Sequence, residues 1–225
     1  MTELSRNQTK NLKKKEMTTK RALAARRAKR TRLTLLVLAI LAVIGLSVFL
    51  ICRALAPYKP TESGTYAAIA IRNYGTITVK LDPEAAPITT ENFVKLAESG
   101  FYEGTTFHRI KEGFMMQGGA PKDGTSAATI KGEFSDNGVD NPLKHTRGTI
   151  SMARANAYDS ASSQFFIMQQ DTASLDGKYA AFGHVVDGIE VVDKVCTKSS
   201  PTDNNGTIPA AQQPIIQSVT IIRVE

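Results

Sequence analysis

An uninterrupted apolar run, Leu33–Ile51, constrains this chain most: 19 residues without a charge. At about 1.5 Å of rise per residue, a helix of that length nearly matches the hydrocarbon core of a bilayer. A helix satisfies its own backbone, so Thr34, Gly45 and Ser47 are tolerable within it. Upstream, residues 1–32 carry 12 Lys/Arg and 2 Asp/Glu, an excess that marks the cytoplasmic side of a span. The pattern predicts an N-terminal transmembrane helix over residues 33–52, an uncleaved signal anchor in contact with membrane lipid. The tail 1–32 is then cytoplasmic, and everything downstream lies on the other side of a cell membrane crossed once. Two other fates stay open. Ala54-Leu55-Ala56 has the small-x-small form of a cleavage site, although the apolar run exceeds a signal-peptide core and Pro57 follows. Cys52 could carry a lipid, although Ile51 stands where a small residue is expected.

The formal net charge of +7 is uneven, because residues 33–225 hold 16 Lys/Arg against 19 Asp/Glu. A basic chain invites a nucleic-acid reading, but the positive charge is confined to one short arm. No aromatic residue is interleaved there to stack on bases. Anionic lipid headgroups are the expected partner of the arm, and nucleic acid is not. An apolar fraction of 42% argues against wholesale disorder. The two cysteines, Cys52 and Cys196, are a poor disulfide pair, one closing the apolar run and the other inside a predicted helix. Residues 53–64, with Pro57 and Pro60, read as a linker, and residues 65–225 as a single domain.

Within that domain, Tyr66–Ile71 and Thr76–Leu81 alternate in strand fashion around the turn signal Asn73-Tyr74-Gly75. Pro87–Glu98 reads as a helix, with Thr89 or Thr90 as its cap, an apolar face of Phe93, Leu96 and Ala97, and Gly100 as its stop. Short β-like runs follow at Thr105–Ile110, Phe114–Gln117, Gly148–Ala153, Gln164–Met168, Phe182–Val186 and Val219–Val224. A second helix is predicted over Ile189–Cys196. Many short strands with two helices predict a mainly β fold, a barrel or sandwich.

Three blocks carry a stronger pattern: FHRIKEGFMMQGG (Phe107–Gly119), GTISMARANAYDSASSQFFIM (Gly148–Met168) and LDGKYAAFGHVVDGIEVVDKV (Leu175–Val195). Together with APITTENFVKLAESGFYEGTTFHR (Ala86–Arg109), they closely resemble the cyclophilins, in the same order, from about Tyr66 to Glu225. The resemblance implies an eight-stranded antiparallel closed β-barrel capped by two α-helices, with an outer hydrophobic groove. It also implies a peptidyl-prolyl cis-trans isomerase that acts on proline-containing polypeptides and assists the folding of exported or surface proteins. No cofactor or metal is implied, and a monomeric catalytic domain is expected.

Matched position by position, Arg109 resembles the catalytic arginine, whose permanent charge and fixed fork suit donation to a twisted prolyl amide. Phe114, Met115, Phe166 and Leu175 match the proline pocket. Gln117 matches the residue that binds substrate backbone and orients the arginine. Ala153, Arg154 and Gln164 align with the groove for the residue before proline, and Gly124 with a groove glycine. Tyr179 stands where a histidine is common, keeping an aromatic edge and a polar tip. Ser174 replaces a tryptophan that contributes to cyclosporin binding, so tight drug binding is not expected. Arg154 replaces a commoner asparagine and the loop Asn156–Ser160 is about one residue longer, as in a bacterial branch of the family.

His108 should face away from Arg109 on its strand and reads as a packing or hydrogen-bonded residue. No histidine pair has metal spacing. Ser160, Ser162 and Ser163 lack a nucleophile setting such as G-x-S-x-G. Two other functions remain open: a proline-peptide binding module or holdase using the same groove, and a membrane scaffold acting through the basic tail.

Overall fold

The computed structural model describes residues 17–21, 40–47, 58–122, 124 and 127–225. The chain divides into two units, Met1–Pro57 and Tyr58–Glu225. In the first, residues 17–21 and 40–47 are helical with exposed side chains. Most of the predicted span 33–52 lies outside the described residues. Among those described, no helix is long and apolar enough to cross a membrane.

The second unit is built on eight strands: β1 (Gly64–Ile71), β2 (Gly75–Leu81), β3 (Phe107–Lys111), β4 (Met115–Gly118), β5 (Thr149–Met152), β6 (Phe165–Met168), β7 (Ala181–Asp187) and β8 (Ile216–Val224). They form one sheet in the order β3-β4-β6-β5-β7-β2-β1-β8, and every pairing is antiparallel. The β1–β2 hairpin turns at Asn73, whose φ of 67° fits the left-handed turn its residue type tolerates.

The expected closed ladder is a curled half-barrel instead. Its edges β3 and β8 share no ladder; the residues just before them, Thr106 and Ile215, form an isolated bridge. Beside it, Ile216 N–H donates to Thr105 O (2.8 Å) and Phe107 N–H to Pro214 O (2.9 Å). Farther along β3, the segment 206–208 covers the edge: Ile110 N–H donates to Gly206 O (2.8 Å) and Ile208 N–H to His108 O (2.9 Å). The edge is thus satisfied by irregular chain, which removes the hazard of an open strand.

Two helices complete the unit, α1 (Pro87–Glu98) and α2 (Ile189–Lys198). Helix α1 brings Phe93 to the core, where it meets Tyr102 (5.2 Å), Phe165 (5.5 Å, edge-on) and Phe182 (5.2 Å). Helix α2 buries Val191, Val192, Val195 and Cys196, the i, i+3, i+4 spacing of an amphipathic helix. Burial pushes the Cys196 thiol up to about 12, which makes it inert at neutral pH.

Neither Thr89 nor Thr90 caps α1. The helix starts after Ala86 with Pro87 in its first turn and no side-chain cap of its own. The buried carboxylate of Glu133 does the work, accepting from Ile88 N–H (3.0 Å) and Thr89 N–H (2.7 Å). A carboxylate there satisfies two orphan donors and meets the positive end of the helix dipole. Thr90 is turned inward instead, donating to Asp82 O (3.3 Å).

Candidate active site

Strand alternation sorts the side chains of β4, β5 and β6 between two faces. Met116, Ile150, Met152, Phe165 and Ile167 enter the main core. Met115, Phe166 and Met168 form a separate apolar cluster, against which Phe114, Ala153, Leu175 and Tyr179 pack. The registers then place residues side by side across four strands: Arg109 opposite Gln117, Gln117 opposite Phe166, and Phe166 opposite Ser151. A guanidinium, an amide and an aromatic ring thus share one face although they are far apart in sequence.

These residues surround a cavity of about 170 Å³, lined by Arg109, Phe114, Met115, Gln117, Ala153, Arg154, Phe166, Leu175 and Tyr179. That is below the usual volume of a drug-sized ligand site and suits a single small ring. A second cavity of about 300 Å³ shares Gln117, Ala153 and Arg154, and adds Gln164, Ala155, Ser160 and Ser162. Nine of the eleven candidate residues therefore line the first cavity and Gln164 lines the second. Gly124 lines neither. It sits exposed, with φ at 73° and no described atom within 4 Å of where a side chain would begin; residues 123, 125 and 126 beside it lie outside the described residues.

Arg109 is held on two sides. Its Nε–H donates to Asn205 O (2.8 Å) and its Nη1–H to Gln117 Oε1 (3.2 Å). Gln117 Nε2–H in turn donates to Gln164 Oε1 (3.0 Å). Nη2 has no partner among the described residues, so its donors remain for a ligand. The Asn205 carbonyl reaches Arg109 because Gly206 lies against β3: a Cβ there would sit 2.6 Å from Ile110 O, and φ is 93°. Asp203 pins the same loop, accepting from Thr207 N–H (2.9 Å) and Thr207 Oγ1–H (2.8 Å).

Three supports escaped the sequence reading. Gln169 accepts from Gly113 N–H (2.7 Å), and its own N–H donates to Phe114 O (2.8 Å), which fixes the turn that presents Phe114. Asn205 acts only through its carbonyl, which any residue type supplies. His145 lies behind the pocket, 2% exposed. Its ring is nearly parallel to Phe166 (5.9 Å, 17°) and edge-on to Tyr179 (6.4 Å, 77°). Its Nδ1 is 3.1 Å from Asp176 Oδ1 and its Nε2 is 3.1 Å from Ser151 Oγ. This is the connectivity of a Ser-His-acid triad, but Ser151 is fully buried and no substrate can reach it. The chain Asp176–His145–Ser151 holds a wall of the pocket. His108 is half-buried and its Nδ1 has no hydrogen-bond partner among the described residues, which agrees with the packing role rather than a catalytic one.

Burial pulls the His145 pKa below the ordinary imidazole value, against the opposing effect of Asp176. Burial shifts His108 and His184 the same way. Unfolded, these rings bind protons at about pH 6.5; folded, they do so only at lower pH. Below about 6.5 the unfolded state therefore holds more protons, and stability falls as the pH drops. Above that value the contribution is fully present. The urea midpoint should decrease steadily from pH 7.5 to pH 5, and His145→Gln should reduce the slope. This range lies above the titration of Asp159, Asp176 and Asp193, all held below the ordinary carboxylate value. A midpoint that rose on acidification would contradict the assignment.

An antiparallel half-barrel carrying a half-apolar pocket beside a guanidinium held by two hydrogen bonds defines a class of protein whose site suits a small apolar ring on a polar chain. The sequence pattern of the family described as "Cyclophilin type peptidyl-prolyl cis-trans isomerase/CLD" matches residues 66–225. The chain is 40% identical over 192 residues to peptidyl-prolyl cis-trans isomerase A of Dickeya dadantii (strain 3937), covering 79% of this chain and 97% of that protein. It is 40% identical over 160 residues to peptidyl-prolyl cis-trans isomerase B of Escherichia coli (strain K12), covering 66% and 95%. Among solved structures, a cyclophilin type peptidyl-prolyl cis-trans isomerase of Cryptosporidium parvum, crystallised in the presence of the dipeptide Ala-Pro, matches with a TM-score of 0.61. It is 28% identical, with 71% of this chain and 99% of that chain covered. This chain belongs to the cyclophilin-type peptidyl-prolyl cis-trans isomerase family.

Proposed function

We propose that the chain catalyses cis-trans rotation about Xaa-Pro peptide bonds in exported or surface polypeptides, with Arg109 as the catalytic residue. The observation that carries this reading is the row Arg109–Gln117–Phe166 beside a cavity sized for one ring, with an apolar wall of Phe114, Met115, Phe166 and Leu175. Rotation must overcome amide resonance, a barrier of about 18–20 kcal/mol. No covalent intermediate is needed; the site has to bind the twisted amide better than the planar one. Phe114, Met115, Phe166 and Leu175 hold the proline ring and exclude water, which disfavours the planar, charge-separated amide. As the bond twists, the prolyl nitrogen becomes pyramidal and gains a lone pair, and the guanidinium of Arg109 donates towards it. Gln117 keeps the fork aimed and offers its amide to substrate backbone.

The test is exchange of an Ala-Pro peptide followed by NMR or by a coupled protease, using both the full chain and residues 58–225. Marked acceleration is expected from both. A folded protein that binds the peptide without accelerating exchange would instead be a holdase.

The apolar run 33–51, together with the 12 basic residues before it, supports a single membrane anchor with the catalytic unit outside the cytoplasm. The full chain should sediment with membranes and resist a carbonate wash, and its catalytic unit should be open to protease added from outside. A full chain recovered in the soluble fraction would refute the anchor.

A further inference from the structure

We infer that Arg154 makes this site selective for prolines flanked by an acidic side chain, a reading that rests on the isomerase function proposed above. Arg154 lines both cavities, so its guanidinium stands where a residue next to a bound proline must pass. The group is unusually well fixed. Its carbon lies over three rings, Tyr179 (4.8 Å), Tyr158 (5.1 Å) and Phe134 (5.2 Å). Its Nε–H donates to Lys178 O (2.9 Å) and its Nη1–H to Ala155 O (2.9 Å).

These contacts orient the cation without neutralising it. Rings and carbonyls leave the full charge in place, and Arg154 forms no salt bridge among the described residues. Its Nη2 has no partner among them either. The two cavities together are lined by Arg109 and Arg154 and by no carboxylate. Residues 33–225 nevertheless hold more Asp/Glu than Lys/Arg, so the positive groove is local. A pre-positioned guanidinium with free donors binds a carboxylate with less loss of side-chain freedom than a mobile one. A lysine placed at the same point on the substrate meets like charge.

The experiment moves a single Glu, Gln or Lys through the two positions on either side of the proline in otherwise identical peptides. It compares kcat/KM on the wild-type protein and on Arg154→Gln. At one position or more, the wild type should prefer Glu over Lys by roughly three- to tenfold, the range of a partly solvated ion pair. The preference should shrink as NaCl rises from 0.02 to 0.5 M and fall within twofold in Arg154→Gln. A purely structural Arg154 would lower all three peptides together and leave their ratio unchanged. Dissociation constants for the same peptides read the preference without turnover, and the salt titration of the wild type reads it without any variant. A Glu-to-Lys ratio within twofold at every position, or one that persists in Arg154→Gln, overturns the inference. Failure to accelerate even the Ala-Pro control overturns the isomerase reading instead, while the binding ratios still decide the role of Arg154.

Discussion

Replacing Arg109 by alanine should lower kcat/KM for an Ala-Pro peptide by roughly a hundredfold, as removal of one fixed donor aimed at a developing charge does in other enzymes. The side chain is anchored by Asn205 O and Gln117 Oε1 and stands on the outer face of the sheet, apart from the main core. Its loss creates no core cavity, so the melting temperature should change by no more than about 2 °C, as for other surface substitutions. Arg109→Lys keeps the charge but loses the fork. It cannot reach both anchors and a substrate together, so its activity should lie between the two. Steady-state rates and a thermal melt on the same preparations check the claim. Wild-type activity in folded Arg109→Ala would remove this residue from the chemistry.

The largest effect on stability should come from Phe93→Ala. Phe93 is fully buried and touches three other rings. Truncating a buried Phe loses its transfer energy and leaves a cavity, a cost of about 3–5 kcal/mol. For a domain of this size that corresponds to roughly 10 °C in melting temperature. The effect should reach the site, because Phe165, which packs on Phe93, precedes Phe166 of the pocket. Phe93→Leu refills part of the cavity and should recover more than half of the loss. A melt within about 3 °C of wild type for Phe93→Ala would mean that α1 does not close the core as described.

Local patterns made much of the fold legible. The residues of β1, β2 and β6 alternate or run apolar within short stretches bounded by turn residues, and the spacing of Phe93, Leu96 and Ala97 marks one helix face. Such signals lie within a few residues of one another and need no knowledge of partners. The cap of α1 shows the limit. Thr89 and Thr90 fit a local rule, but Glu133, more than forty residues away, wins because its buried carboxylate accepts two N–H groups at once. A local rule cannot see a competitor that only folding brings near.

The family, the order of the elements and the side chains available for chemistry all follow from residue types at fixed spacing along the chain. Which of them meet depends on the folded chain. Strand register set Arg109, Gln117 and Phe166 in one row. Chain curvature brought the Asn205 carbonyl to Arg109, left Gly124 outside the cavities, and slid His145 behind Phe166. It also placed Phe134, Tyr158 and Tyr179, from three separate segments, around the charge of Arg154. These are contacts between residues distant in sequence, fixed by hydrogen-bond ladders and close packing, and no single stretch of chain encodes them.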